Sequence, residues 1–474
     1  MAHYFRIFSR LKKHRLAVCG AALILILGLF CVKSTVDTND GTRMAVIQCL
    51  GDYGTFAIDH TCIDVRFDKI VIDGATFSDK PQFLPTLLTP LYLLLKLCGI
   101  SMTAHPHLTV YLINLLGIYS LNLVLFVLFY RRLLQNCSRQ AAAIGSTGLL
   151  LSTLLFCYGT TLNNHTPAAL ALFVLFLLLE KVAAAATPRR LFAAGLAAGV
   201  LTALEYIFGG IFLLIGAVLI VLVMRRVIRI IPAAICYGAG AALPLLAVIT
   251  INLIAYGSIL PQYLGTAGNN GTFQPNTSID WTYVYHALFG DRGIFLYMPL
   301  LLLLYFPIRE WIKGGLNLTL RLCLLGVTAV TITYLIITND FGGWCYGFRY
   351  LVPAIPIPAL AIFISIPWQR TALRLVLGAM LLWGFFIALI GAYNCWPPAY
   401  ISRKPVNTVI GNLQCILYEY APTTEPARTL MQNTTGFRVG YSYLLNTCQV
   451  KKNHELGRKA AEEVKRMGLA EPNR

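Results

Sequence analysis

Apolar runs of bilayer-crossing length recur from Leu16 to Ala392, parted only by short polar breaks. A helix needs roughly 20 mostly apolar residues to cross hydrocarbon. Backbone in lipid must satisfy its own hydrogen bonds, so a chain of this kind folds as a bundle of helices. Of the 474 residues, 57% are hydrophobic and 12% charged, which is far too apolar for a water-soluble core. The expected class is an all-α polytopic membrane protein.

The formal net charge is +18, and the placement of the charges says why. Lys and Arg fall in short clusters between the apolar runs: Arg6 to Arg15, Arg131 with Arg132 and Arg139, Lys181 to Arg190, Arg225 to Arg229, Arg309 to Arg321, and Arg370 with Arg374. Cytoplasmic turns carry such excesses. Asp280, Asp291 and Asp340 lie in the alternate loops, which are then external. Membrane topology accounts for the basic balance, and nucleic acid is not an expected partner.

One apolar run, Phe83 to Ile100, breaks the pattern if it crosses, because every later basic cluster would be inverted. Left at the outer surface as an interfacial helix, with Pro81 and Pro85 at its start, it restores the charge rule throughout. The spans then run Leu16 to Val32, Leu108 to Phe129, Ala141 to Tyr158, Pro167 to Val182, Leu191 to Leu204 and Ile207 to Met224. Five more follow: Ile230 to Ala255, Gly293 to Ile308, Leu318 to Thr338, Leu351 to Ile366, and Leu373 to Ala392. Eleven spans put the N-terminus in the cytoplasm and the C-terminus outside. The basic head and apolar run at the start resemble a signal peptide, but no small-x-small cleavage site follows, so an uncleaved first helix is expected.

External segments are then Lys33 to His107, Gly159 to Thr166, Tyr256 to Arg292, and Asn339 to Tyr350. Residues 1–392 form one membrane module, and 393–474 a small cap or tail with an amphipathic basic helix near Leu456 to Met467. The thirteen cysteines include no CxxC pair or Cys/His metal spacing. Cys49, Cys62, Cys345, Cys395, Cys415 and Cys448 fall on the external side, and their pairing is open.

Eight of the eleven aspartates lie between Lys33 and Phe83: Asp37, Asp40, Asp52, Asp59, Asp64, Asp68, Asp73 and Asp79. Most of these are expected to cap turns or solvate the loop. Asp40-Gly41-Thr42-Arg43 stands out, with Lys80-Pro81 at the far end of the same loop. A carboxylate at a membrane surface can take a proton from an acceptor hydroxyl, while Arg and Lys hold an anionic leaving group. His165 opens a helix in a short external loop, and Glu205 interrupts a strongly apolar run. Both are substrate-pocket candidates, against a bland reading as caps.

These residues resemble the GT-C glycosyltransferases, in particular the protein O-mannosyltransferase and aminoarabinose-transferase group (glycosyltransferase family 39-like). The resemblance rests on the D-x-x-R at Asp40 to Arg43 and on Lys80-Pro81 leading into a surface helix. Two later segments are also similar to bacterial members: His286 to Phe295, which includes Arg292, and Gly342 to Pro353, which includes Trp344, Tyr346 and Arg349. The resemblance implies a GT-C-like bundle with a long first external loop. It further implies a polyprenyl-phosphate-linked sugar as donor and a lipid, glycan or protein as acceptor. It makes Asp40 the catalytic base and Arg43, Lys80, Arg292 and Arg349 the donor-phosphate ligands, with Trp344 and Tyr346 lining the pocket. Gly41 and Gln82 depart from the family pattern, which keeps Asp37 as a competing base. No cofactor is required in that group, although the carboxylates leave Mg²⁺ or Mn²⁺ open. A transporter or flippase for a lipid-linked sugar is the rival reading, and a bacterial inner membrane is the expected location.

Overall fold

The computed structural model describes residues 13–65, 68–224, 227–260, 278–290, 292–338, 345–396 and 408–420. Trp344, Asp291, Asp340, Cys448 and the helix expected over Leu456 to Met467 lie outside the described residues. Six helices are long and apolar enough to cross a membrane: Pro106–Leu133, His165–Ala184, Tyr206–Val223, Arg229–Tyr256, Leu318–Ile337 and Thr371–Tyr393. Their outward sides carry exposed apolar residues such as Leu214, Leu246, Ile254, Ile332, Leu375 and Leu382. In water that surface would be costly, whereas in lipid it is the ordinary exterior.

The chain opens with α1 (Arg15–Cys31), then α2 (Thr38–Tyr53), a hairpin of β1 (Lys69–Ile72) and β2 (Ala75–Ser78), and α3 (Phe83–Leu97). A polar segment read as loop thus holds a buried helix. In α2 the run Met44 to Cys49 is buried on every side, so no amphipathic stripe announces it. A capping box starts it, and Gly54 ends it in the left-handed region at φ 69°, where a side chain would be strained. The helix read from the sequence over Phe83 to Ile100 is present as α3. It packs on α2, where the Tyr92 ring lies against Gly51 and its hydroxyl donates to Asp52. Its 15 residues rise about 22 Å, short of the ~30 Å of hydrocarbon.

The bundle follows as α4 (Pro106–Leu133), α5 (Arg139–Leu151), α6 (Leu154–Gly159), α7 (His165–Ala184), α8 (Pro188–Leu204), α9 (Tyr206–Val223) and α10 (Val227–Tyr256). After it come α11 (Trp281–Leu288), α12 (Ile294–Tyr297), α13 (Tyr305–Ile312), α14 (Leu318–Ile337), α15 (Pro356–Ser365), α16 (Thr371–Tyr393) and α17 (Thr408–Tyr420). The turn read at Glu205 is where α8 ends and α9 begins. Within α8, Gly195 and Gly199 lie against the backbone of α10 at Tyr237 and Ala241, so close that an added Cβ would overlap it. Such small-residue contacts let helix backbones meet in lipid, where burial alone gives no drive to associate.

Three expected spans are not continuous helices. The one over Ala141 to Tyr158 breaks at Ser152, because Thr153 caps a new helix by accepting from Leu155 N at 3.2 Å. Those over Gly293 to Ile308 and Leu351 to Ile366 each pass through a 3-10 turn, Pro299–Leu304 and Arg349–Ala354. Proline there removes a helix donor and restricts the residue before it. The described residues beyond 392, 393–396 and 408–420, also pack on the bundle. Asn412 of α17 donates to Asn394 O at 2.7 Å and Ile390 O at 3.2 Å, and the hydroxyls of Thr408 and Tyr297 meet at 2.7 Å. A boundary at 392 therefore cuts a packed unit.

Candidate active site

Asp40 is the third residue of α2 and 1% exposed. The Asp37 backbone N–H donates to its Oδ1 at 2.6 Å, and the Thr161 hydroxyl donates to its Oδ2. One helical turn on, Arg43 is buried as well; its Nη1 donates to Asn39 O at 2.7 Å and to the Asn39 side chain. Its Nε meets no acceptor among the described residues. The D-x-x-R spacing thus becomes an i, i+3 pair on one helix face.

The hairpin brings up the next charges. Ile72 pairs with Ala75 across Asp73-Gly74, both at positive φ, 50° and 84°, the backbone a two-residue hairpin turn requires. The strands bring Asp79 N to within 3.1 Å of Asp68 O. Lys80 Nζ then sits 3.1 Å from each carboxylate, and Asn39 Nδ2 reaches Asp68 at 3.5 Å. Other aspartates of the loop are structural, as expected. Asp52 pairs with Lys96 at 2.6 Å and accepts from Tyr92. Asp59 accepts from Thr76 N at 3.0 Å, and hydrogen bonding to the Thr76 side chain and backbone holds its carboxyl below its ordinary value. Asp73 makes the hairpin turn.

Opposite α2 lies the loop into α7. Asn163 accepts from Thr166 N at 3.0 Å, and Asn164 donates to Leu204 O at 3.1 Å, which ties the head of α7 to the α8–α9 turn. That turn presents Glu205, whose Oε1 lies 2.8 Å from His165 Nδ1. The contact has ion-pair distance but lacks hydrogen-bond alignment. Tyr158 stands edge-on to His165 at 5.7 Å and to Trp396 at 5.5 Å. The Arg349 guanidinium lies 5.4 Å over Trp396 and 5.5 Å over Tyr350, and Tyr350 stacks on Tyr334 at 4.5 Å.

Electrostatics joins these pieces into one site. Burial lowers the pKa of Arg43; the charges of Asp68, Asp79 and Glu205 support its cation, and Arg349 opposes it. Burial raises the Asp40 carboxyl above its ordinary value, against the hydrogen bond from Thr161, those of the Asp37 and Asp40 backbone, and the charge of Arg43. Asp79 is also raised by burial, with Lys80 opposing and Asp68 adding to the shift.

Asp40, Arg43, Lys80, His165, Glu205 and Arg349 thus come together. Asp37 instead caps α2. Arg292 and Tyr346, expected at a lipid phosphate and in the pocket, are fully buried scaffold residues. Arg292 donates to Cys345 O at 2.7 Å, and the Tyr346 hydroxyl to Ile387 O at 2.8 Å. Sequence reasoning missed Asn39, Thr161 and Trp396, and did not place Asp68 and Asp79 at the site. An Asp-Gly turn between equal flanks signals the hairpin that joins those two, but nothing in the sequence signals Trp396. Among the described residues no three His, Cys, Asp or Glu side chains group as a metal site. Cys49, Cys62 and Cys395 are free thiols.

No model of a known protein family matches the sequence, and no curated protein matches it. Solved structures do. ArnT from Cupriavidus metallidurans in the apo state is 14% identical, with 93% of this chain and 77% of that one covered, at a TM-score of 0.51. The same protein bound to undecaprenyl phosphate gives 13%, 91%, 77% and 0.52. The chain has the GT-C fold. A weaker likeness, to the apo Archaeoglobus fulgidus oligosaccharyltransferase, has 12% identity, 88% of this chain covered and a TM-score of 0.47; the chain spans 59% of that protein's length. The GT-C fold and the six crossing-length helices make this an integral membrane protein.

Proposed function

We propose that the chain transfers a sugar from a polyprenyl-phosphate donor to an acceptor hydroxyl or amine at the outer face of a bacterial inner membrane. The observation that carries this reading is the buried Asp40 carboxylate, one turn from Arg43 and facing the charged head of α7. Asp40 removes the proton of the acceptor. The acceptor oxygen or nitrogen attacks the anomeric carbon from the side opposite the phosphate, and the carbon–oxygen bond to phosphate breaks with inversion. The electron pair leaves on the phosphate, which Arg43, Arg349 and Lys80 balance. Glu205 orients His165 beside them. ArnT, which shares the fold, has been solved with undecaprenyl phosphate bound, which supports a lipid phosphate as leaving group.

The test is to give the purified protein, in bilayers, a polyprenyl-phosphate sugar and a mixture of acceptors. Sugar transfer with release of free polyprenyl phosphate is the expected result. Movement of intact donor across the bilayer without cleavage would instead make the protein a flippase.

A further inference from the structure

Trp396 follows the last apolar helix and is fixed from three sides. Its backbone N–H donates to Asn394 Oδ1 at 3.1 Å. Tyr346 N donates to the neighbouring Cys395 O at 3.0 Å, and α17 holds Asn394 O through Asn412. The indole is 4% exposed and packed between the Tyr158 edge and the Arg349 cation. Its Nε1–H has no acceptor among the described residues, and the same is true of Arg43 Nε.

A buried donor left without an acceptor costs about 1–3 kcal/mol, so native folds keep few of them. The carboxylates here already face partners of their own: Asp40 accepts from Thr161 and the Asp37 N–H, Asp68 and Asp79 lie at ion-pair distance from Lys80, and Glu205 lies at ion-pair distance from His165. Two unfilled donors in a site that also holds Arg349 lack one thing, an acceptor-rich anion. A cation over the indole face leaves the in-plane N–H free to point at such a group.

We infer that Trp396 is a ligand-contacting residue whose indole N–H donates to the phosphate of the polyprenyl carrier, beside Arg349. This rests on the reading proposed above and deepens it: the segment after the last apolar helix is part of the donor site. A purely packing role would need only the ring.

The experiment measures binding of farnesyl phosphate and of farnesol to the full chain in detergent, with no sugar transfer involved. Trp396→Phe keeps an aromatic ring and removes the N–H. If that variant unfolds, benzothienylalanine at position 396 replaces the N–H by sulfur in the same shape. The wild type should prefer the phosphate, and the variant should bind farnesyl phosphate roughly tenfold to a hundredfold more weakly, the range for a hydrogen bond to a charged group. Farnesol binding should not change. Equal losses for both lipids, or no loss, would overturn the role of Trp396 alone. A wild type with no preference for the phosphate would overturn the proposed function as well.

Discussion

Asp40→Asn should lower the rate of sugar transfer by about 10²–10⁴-fold, the usual contribution of a positioned general base. Asparagine has the same shape; its oxygen can still accept from the Asp37 N–H, and its NH2 then donates to the Thr161 hydroxyl oxygen in place of accepting from it, so the side chain stays fixed. It cannot take a proton. The fold should tolerate the change, because burial raises the Asp40 pKa and so makes its ionised form a cost to the folded state. Asp37→Asn is the matched control: asparagine caps helices as well as aspartate, and Asp37 sits at the N-cap of α2. Its turnover should stay near that of the wild type. Comparable losses in both variants would mean that the N-terminus of α2, rather than the Asp40 proton acceptor, had been damaged.

The second large effect concerns stability. Arg132 of α4 is buried and clamps Glu180 of α7 at 2.7 and 2.8 Å, with Asn136 on its remaining arm at 2.5 Å. Asn317, the N-cap of α14, donates to the same carboxylate at 2.9 Å. One ion pair thus joins three helices. Arg132→Met leaves the Glu180 charge without its cation and should cost about 3–5 kcal/mol. Thermal unfolding in detergent reads this directly. Adding Glu180→Leu should recover part of the loss, because no buried charge then remains. Glu180 lies fifteen residues along α7 from His165, about 22 Å along the axis, so donor binding at temperatures where the variant stays folded should not change.

These two sites were not equally legible in the sequence. Apolar length and basic turns gave the helical bundle, the helix α3 and the break at Glu205, because each is marked locally in the sequence. The Asp40–Arg43 spacing was visible, yet the helix that makes it a face was not. That helix contains Gly41 and Gly51, and its run from Met44 to Cys49 is buried on every side, so it shows no stripe. Helix breaks at Ser152 and before Pro299 were hidden in apolar runs that look continuous. Trp396 joins the site through contacts with Tyr158 and Arg349, both distant in the chain. Arg292 is buried for a related reason, since its carbonyl partner lies in the segment around Cys345, distant in the chain.

The central claim is that a buried, ionised Asp40 accepts the acceptor's proton, and the pH dependence of kcat/KM for sugar transfer tests it most directly. Asp40 works only when deprotonated, and its folded pKa lies above the ordinary aspartate value of about 3.9. The wild-type rate should therefore be full at higher pH and fall as pH drops through that raised value, while the residual rate of Asp40→Asn shows no such limb. An acid limb at or below the ordinary aspartate range, or the same limb in Asp40→Asn, would contradict the account.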